Sequence, residues 1–176
     1  MKDISIKNML HSALVAANLE VFDMSLERPE LRGMGTTVVC AIVKEGQAYI
    51  MHAGDSRAYI VSDNELKQIT MDHSMVQDLV NKGKITEEEA AVHPNKNIIT
   101  RALGVEKTIE IDFRQVDLDR GNTLIICTDG LSNYVSSQEI CEEIKDSKYY
   151  AFADRLVKKA NANGGGDNIT VVAIAN

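Results

Sequence analysis

Apolar residues recur at helical spacing from Ile4 to Leu26, with Ile6, Met9, Leu10, Ala13, Leu14, Ala17, Val21 and Met24 on one face. The spacing predicts a long amphipathic helix whose apolar face must lie on something, and a sheet is the expected partner. Ser25 to Arg32 is polar and carries Pro29, which marks a connection. The period then changes. Gly33-Met-Gly-Thr-Thr-Val-Val-Cys-Ala-Ile-Val43 opens a strand rich in β-branched residues, Glu45-Gly46 makes a hairpin turn, and Gln47 to Ala53 is the return strand. Gly54-Asp55-Ser56 interrupts it, Arg57 to Val61 resumes as strand, Asp63-Asn64 turns, and Leu66 to Thr70 gives a short following strand. Thr36 to Thr70 therefore reads as an antiparallel meander with little room for helices.

The middle of the chain has a different pattern. His73 to Lys82 is helical, with Met75, Val76, Leu79 and Val80 on its apolar side. Thr86 with Glu89 three residues on predicts a capping box at a helix start, and Pro94 predicts its end. Asn97 to Leu103 is partly apolar and strand-like, and Ile109 to Val116 partly alternates as on a half-exposed strand. Asp119-Arg-Gly-Asn122 turns into the apolar run Leu124 to Thr128, a buried strand that ends on Asp129-Gly130. Ser136 to Ile144 and Tyr149 to Asn161 are amphipathic helices, the first with Ser136 or Ser137 as N-cap. Ile169 to Ala175 is the last strand. Helices gather at the beginning, middle and end while strands pair locally, which predicts α+β with antiparallel sheets rather than a βαβ nucleotide fold. The 176 residues suffice for a single domain, 1–176, with a substantial core.

Composition narrows the function. Nineteen Lys and Arg against 26 Asp and Glu give a formal charge of −7, which argues against nucleic acid as the main partner. No apolar run approaches the length that spans a bilayer, so no membrane is expected as a partner, and the N-terminus lacks a signal-peptide layout. Cys40, Cys127 and Cys141 are an odd number without close spacing and read as reduced thiols of a cytoplasmic protein. The four histidines show no zinc-ligand spacing.

Acidic residues are the candidate chemistry. Asp129 ends one apolar strand and Asp167, in Gly164-Gly-Gly-Asp-Asn-Ile-Thr-Val171, begins another. Neighbouring strands run in opposite directions would bring the two together at one sheet edge. Asp55 in Ala-Gly-Asp-Ser-Arg and Asp72 between a strand and a helix are further candidates. Clustered carboxylates repel unless protonated or neutralised by a cation, and all-oxygen clusters suit Mg²⁺ or Mn²⁺. A pair of such ions can hold a phosphoryl displacement from both ends. Taken singly, each Asp is an ordinary turn residue, Asp72 an ordinary helix N-cap, and Asp129 the cap of a short helix beginning near Leu131. Gly33-Met-Gly-Thr-Thr is no phosphate loop, because Gly-Lys-Ser/Thr and a following helix are missing. Nor is Asp129 a haloacid-dehalogenase nucleophile, since Cys127 and Leu131 stand where a second Asp would be.

Gly33-Met-Gly-Thr-Thr, Ala53-Gly-Asp-Ser-Arg-Ala-Tyr59, Thr128-Asp-Gly-Leu131 and Gly165-Gly-Asp-Asn-Ile-Thr-Val171 occur in one order. That order resembles the metal-dependent Ser/Thr protein phosphatases of the type-2C or PPM family, especially the bacterial members. Asp72-His-Ser-Met-Val-Gln-Asp-Leu-Val80 and His93-Pro-Asn-Lys-Asn-Ile-Ile-Thr-Arg-Ala-Leu-Gly104 resemble segments of that group too. The resemblance implies two stacked antiparallel β-sheets flanked by helices, an αββα sandwich. It implies that Asp129 and Asp167 bind Mn²⁺ or Mg²⁺, and that Asp72 shares an additional ion with Asp129. Asp55 is similar to a turn-stabilising aspartate near the site, Asn168 to a residue supporting the Asp167 turn, and 73–103 to a flap beside it. The substrates implied are phosphorylated proteins, the products of a Ser/Thr kinase in a signalling role, attacked by metal-activated water without a phosphoenzyme. In line with this, no Cys or Ser carries a nucleophile motif with an adjacent base.

The family also begins with a strand bearing an acidic residue and a phosphate-binding Arg, then an Asp-Gly-x-Gly-Gly segment that supplies a bridging ligand. Met1 to Leu26 resembles the helix after that segment, so the expectation is a family member lacking its N-terminal portion, with weakened metal binding. Arg57 and Arg101 are better read as surface or structural salt-bridging residues than as a replacement phosphate clamp. Two function classes follow, a metal-dependent protein phosphatase and a catalytically impaired binding or regulatory domain on the same scaffold.

Overall fold

The helical spacing at the start of the chain is realised as α1, Asp3–Glu27, in a computed structural model that describes residues 3–63, 65–146 and 151–176. Its buried seam is narrower than the apolar pattern suggests. Ile6, Leu10, Leu14 and Asn18, each four residues on, are buried, while Met9 is 45% exposed and Ala13 is exposed. Steps of four trace one line along a helix, and that line is the buried one, joined toward the C-terminal end by buried Ser25 and by Val21 close against Gly104. Asn18 can lie in the seam because its amide donates to the carbonyls of Glu106 and Lys107, at 3.0 and 3.1 Å, and its Oδ1 accepts from the Gly104 N–H at 2.8 Å.

After a 3-10 turn at Pro29–Leu31 come β1 (Val38–Lys44), β2 (Gln47–Ala53), β3 (Arg57–Ser62) and β4 (Glu65–Gln68). The β1–β2 turn is the expected Glu45-Gly46 pair. Both residues are left-handed, with φ of 51° and 74°, the geometry whose twist matches the flanking strands. Asn64, expected in the next turn, lies outside the described residues.

Helices α2 (Met75–Asn81) and α3 (Glu87–Ala91) follow. The Thr86–Glu89 capping box forms in both directions, at 3.2 and 2.8 Å. His73, expected to be helical, precedes α2; the N-cap is Ser74, whose hydroxyl accepts from the Gln77 N–H. Nor do residues 97–103 form a strand. They make two isolated bridges, Ser74 to Ile99 and Thr36 to Leu103.

The chain continues through β5 (Asp112–Asp117), β6 (Thr123–Cys127), α4 (Asp129–Ser132), α5 (Ser137–Asp146), α6 (Phe152–Ala162) and β7 (Val171–Ala175). Ser136 and Glu139 form a second reciprocal cap ahead of α5. The expected start of the next helix at Tyr149 lies outside the described residues.

Three strands form a sheet in the order β1-β2-β5, and four form another in the order β4-β3-β6-β7. In the first, β2 and β5 run antiparallel, since Gln47 bonds Asp117 at one end and His52 meets Asp112 at the other. In the second, Arg57 pairs with Cys127 and Val61 with Thr123, while Cys127 pairs with Val171 and Thr123 with Ala175. The fold class is the expected one, α+β with two antiparallel sheets and flanking helices.

The chain divides into two compact units, one of residues 1–42, 49–55 and 71–113, the other of 43–48, 56–70 and 114–176. In the first, Ile6, Leu10 and Leu14 of α1 pack with Tyr49 and Met51, against Val38, Cys40 and Ile42. In the second, Tyr59, Val61, Ile125 and Cys127 pack with Leu131, Val135, Ile140, Leu156 and Ala160. Among the described residues, no helix is long and apolar enough to cross a membrane.

Candidate metal centre

Strand β6 leaves the sheet at Cys127 where its antiparallel neighbour β7 enters at Val171. Asp129 and Asp167 are therefore carried past the same end of the same sheet. The pairing continues beyond the strands. The Thr128 N–H donates to the Thr170 carbonyl at 3.2 Å, the Thr170 N–H to Thr128 Oγ1 at 3.0 Å, and that hydroxyl to the Asn168 carbonyl at 3.3 Å. Gly130 lies against the same carbonyl. A Cβ built on it would stand 2.2 Å from the Asn168 oxygen, closer than any side chain tolerates, so only glycine permits this approach of the two turns.

Each carboxylate is oriented locally. Asp129, half-buried at the start of α4, accepts from the Asn133 side-chain amide at 3.3 Å. Asp167, exposed, accepts from the Asn168 N–H at 2.7 Å, so Asn168 supports that turn through its backbone. The short helix foreseen near Leu131 begins two residues earlier, with Thr128 rather than Asp129 as N-cap.

Asp55 and Asp72 are half-buried and lie in the first unit, apart in sequence and unit from Asp129 and Asp167. Asp72 is not a helix cap. It sits in an extended connection between β4 and α2, flanked by two residues that the structure ties down. The Met71 carbonyl is 2.9 Å from His52 Nε2, and His73 exchanges backbone hydrogen bonds with Gly54 and Thr100.

Sequence spacing missed a cluster here. Two of the four histidines, His52 and His73, are buried and stacked, with ring centroids 4.7 Å apart and planes 6° from parallel. With Asp112 they offer three metal-ligand atoms within 4.8 Å of one another. The donor set nevertheless suits a guanidinium better than a metal. Arg101 Nη1 is 3.1 Å from both His73 Nε2 and Asp112 Oδ1, and its Nη2 is 3.0 Å from Glu110. Lone pairs of parallel rings also run side by side instead of converging on one point roughly 2.0–2.1 Å from each nitrogen. His73 Nδ1 accepts from the Gly54 N–H at 3.1 Å, which leaves the ring proton on Nε2, 3.6 Å from Asp112 Oδ1. Arg101 Nη1 then touches that ring edge without a hydrogen bond to it, and its donors go to Asp112 and Glu110. Burial first, then the neighbouring Arg101 and His52, push the His73 pKa down to about 4. The ring is neutral near pH 7. Arg101 is thus a structural salt-bridge residue, as expected, and Arg57 donates to the Tyr59 hydroxyl at 3.2 Å. One signal for the cluster was legible: His52 is a polar residue inside the buried run Tyr49 to Ala53, and a buried polar group demands a partner.

None of the three cysteines is in a disulfide, and burial raises the thiol pKa of Cys40 and Cys141. Protonated thiols are poor nucleophiles.

Two helix-flanked antiparallel sheets thus carry two acidic turns that meet at one sheet end. The sequence profile of the family Protein phosphatase 2C matches residues 3–169, and the chain belongs to that family. It is 41% identical to the serine/threonine phosphatase stp of Listeria monocytogenes over 170 residues, covering 96% of this chain and 68% of that protein. Its structure is similar to that of the serine/threonine phosphatase Stp1 from Staphylococcus aureus. There the TM-score is 0.95 and the identity 36%, over all of this chain and 70% of that one. It is also similar to the catalytic domain of the serine/threonine protein phosphatase PstP in complex with two manganese ions. That match has a TM-score of 0.84 and 36% identity, over 93% of this chain and 68% of that one.

Proposed function

We propose that this chain hydrolyses phosphoserine and phosphothreonine esters on proteins, with Mn²⁺ or Mg²⁺ as cofactor and Asp129, Asp167 and Asp72 as metal ligands. The observation that carries this is the contact of the two acidic turns, Gly130 against the Asn168 carbonyl. It commits two carboxylates to one end of a sheet, where a cation offsets their mutual repulsion. An all-oxygen donor set fits a hard dication that keeps several waters. Such an ion, when bound, lowers the pKa of its water and offsets charge on phosphoryl oxygens.

The chain's own residues have separate tasks. Asp129 and Asp167 hold the cation, and Asn133 and the Asn168 backbone fix how the two carboxylates face. Asp72 is a ligand of a further ion. The segment 73–103 borders the substrate as a flap. Burial holds the Cys40 and Cys141 thiols protonated, and attack by water without a phosphoenzyme is the consistent route. Substrates are phosphoproteins made by a Ser/Thr kinase, with nucleic acid disfavoured by the charge of −7, and the setting is the cytoplasm.

Phosphate release from a phosphothreonine peptide at saturating Mn²⁺ tests this. Groups that merely orient metal ligands cost about 10–100-fold when lost, so Asp129→Asn or Asp167→Asn should cost at least about 100-fold, and EDTA should stop release. Absence of Mn²⁺-dependent release, with the peptide still bound, would favour the binding-domain alternative.

A further inference from the structure

We infer that His52, His73 and Arg101 are positioning residues for Asp72, clamping the backbone on both sides of its carboxylate; this rests on the reading of Asp72 as a metal ligand.

Residues 69–73 belong to no helix or strand, so no regular hydrogen-bond ladder holds Asp72. Its neighbours are fixed instead by side chains and cross-bonds. On one side, His52 Nε2 holds the Met71 carbonyl at 2.9 Å. On the other, the His73 N–H donates to the Gly54 carbonyl at 3.0 Å, and the Gly54 N–H returns a bond to His73 Nδ1 at 3.1 Å. The His73 carbonyl accepts from the Thr100 N–H at 2.8 Å.

The two clamps are joined, because the rings that make them are stacked at 4.7 Å. His52 is anchored in β2, and His73 is backed by Arg101, itself tied to Asp112 and Glu110. Metal ligands need placement to within about 0.5 Å. A carboxylate in an irregular connection meets that tolerance only if the residues before and after it cannot move.

Calorimetric Mn²⁺ titration of the full chain tests this, with unfolding melts alongside. Asp72→Ala and His52→Leu should weaken the same binding step by about 10-fold or more. The double variant should be no weaker than Asp72→Ala alone, because His52 acts through Asp72. His52→Gln, which restores an N–H toward the Met71 carbonyl, should recover much of the loss. If His52→Leu does not fold, Arg101→Lys carries the same cycle, since lysine cannot fork between Asp112 and Glu110 behind the His73 ring.

The inference is overturned if Asp72→Ala weakens Mn²⁺ binding while the His52 and Arg101 variants do not. It is also overturned if the losses add in the double variant. Should Asp72→Ala itself leave the titration unchanged, the ligand reading of Asp72 fails, and the positioning role falls with it; that failure shows in the single variant alone.

Discussion

His73 carries a strongly displaced titration, and its cost is a matter of sign. Its pKa is about 4 in the folded chain against an ordinary 6.5. Between those values the unfolded state binds the proton that the folded state refuses. Stability therefore rises with pH through that window and is lost as pH falls from 6.5 toward 4. At 1.36 kcal/mol per pKa unit the full effect is about 3 kcal/mol. Urea unfolding without divalent ions should show this slope, and His73→Gln should flatten it between pH 4 and 6.5 relative to the parent. Parallel slopes in the two would mean that the ring is already charged in the folded state. The pairing of His52 with His73 was not legible, because 21 positions separate them and only the return of the chain past Gly54 brings the rings together.

Turns and caps show the opposite. The Thr86–Glu89 box and the Ser136 cap are local in sequence. The first forms as expected, and at the second Ser136 rather than Ser137 pairs, with Glu139 as a reciprocal partner that was not foreseen. Ser136→Ala should cost about 1 kcal/mol in denaturant unfolding and leave Mn²⁺ titration unchanged, since α5 carries none of the proposed ligands. Gly130→Ala is the contrasting change. Its methyl meets a backbone oxygen that cannot rotate away, so the two turns must separate. A loss of about 1–3 kcal/mol is expected, together with weaker Mn²⁺ binding. Unchanged Mn²⁺ affinity in Gly130→Ala would mean that the contact of the turns does not set the carboxylates. Residues 97–103 misled because Ile98 and Ile99 look like strand residues, yet both are exposed and the segment is held by isolated bridges.

For the whole molecule, the pattern from Thr36 to Thr70 was enough to place four strands and the β1–β2 and β3–β4 turns, but the single meander it suggested is split. β2 and β3 fall in different sheets, β2 beside β5 and β3 beside β6, with Gly54-Asp55-Ser56 as the break between them. The order of the motifs around Asp55, Asp129 and Asp167 carried the family. Sequence could not show how narrow the buried seam of α1 is, where Ile6, Leu10, Leu14 and Asn18 form the main buried line while Met9 and Ala13 stay exposed. The strand-end positions of Asp129 and Asp167 did point to one sheet edge, and antiparallel β6–β7 pairing delivers both to one end of one sheet. That delivery is the central claim, and Mn²⁺ binding measured by calorimetry on the parent, Asp129→Asn, Asp167→Asn and the double variant tests it most directly. If the two carboxylates share an ion, each single change removes most of the binding and the double change removes little more. Parent-like Mn²⁺ affinity in the double variant would contradict it.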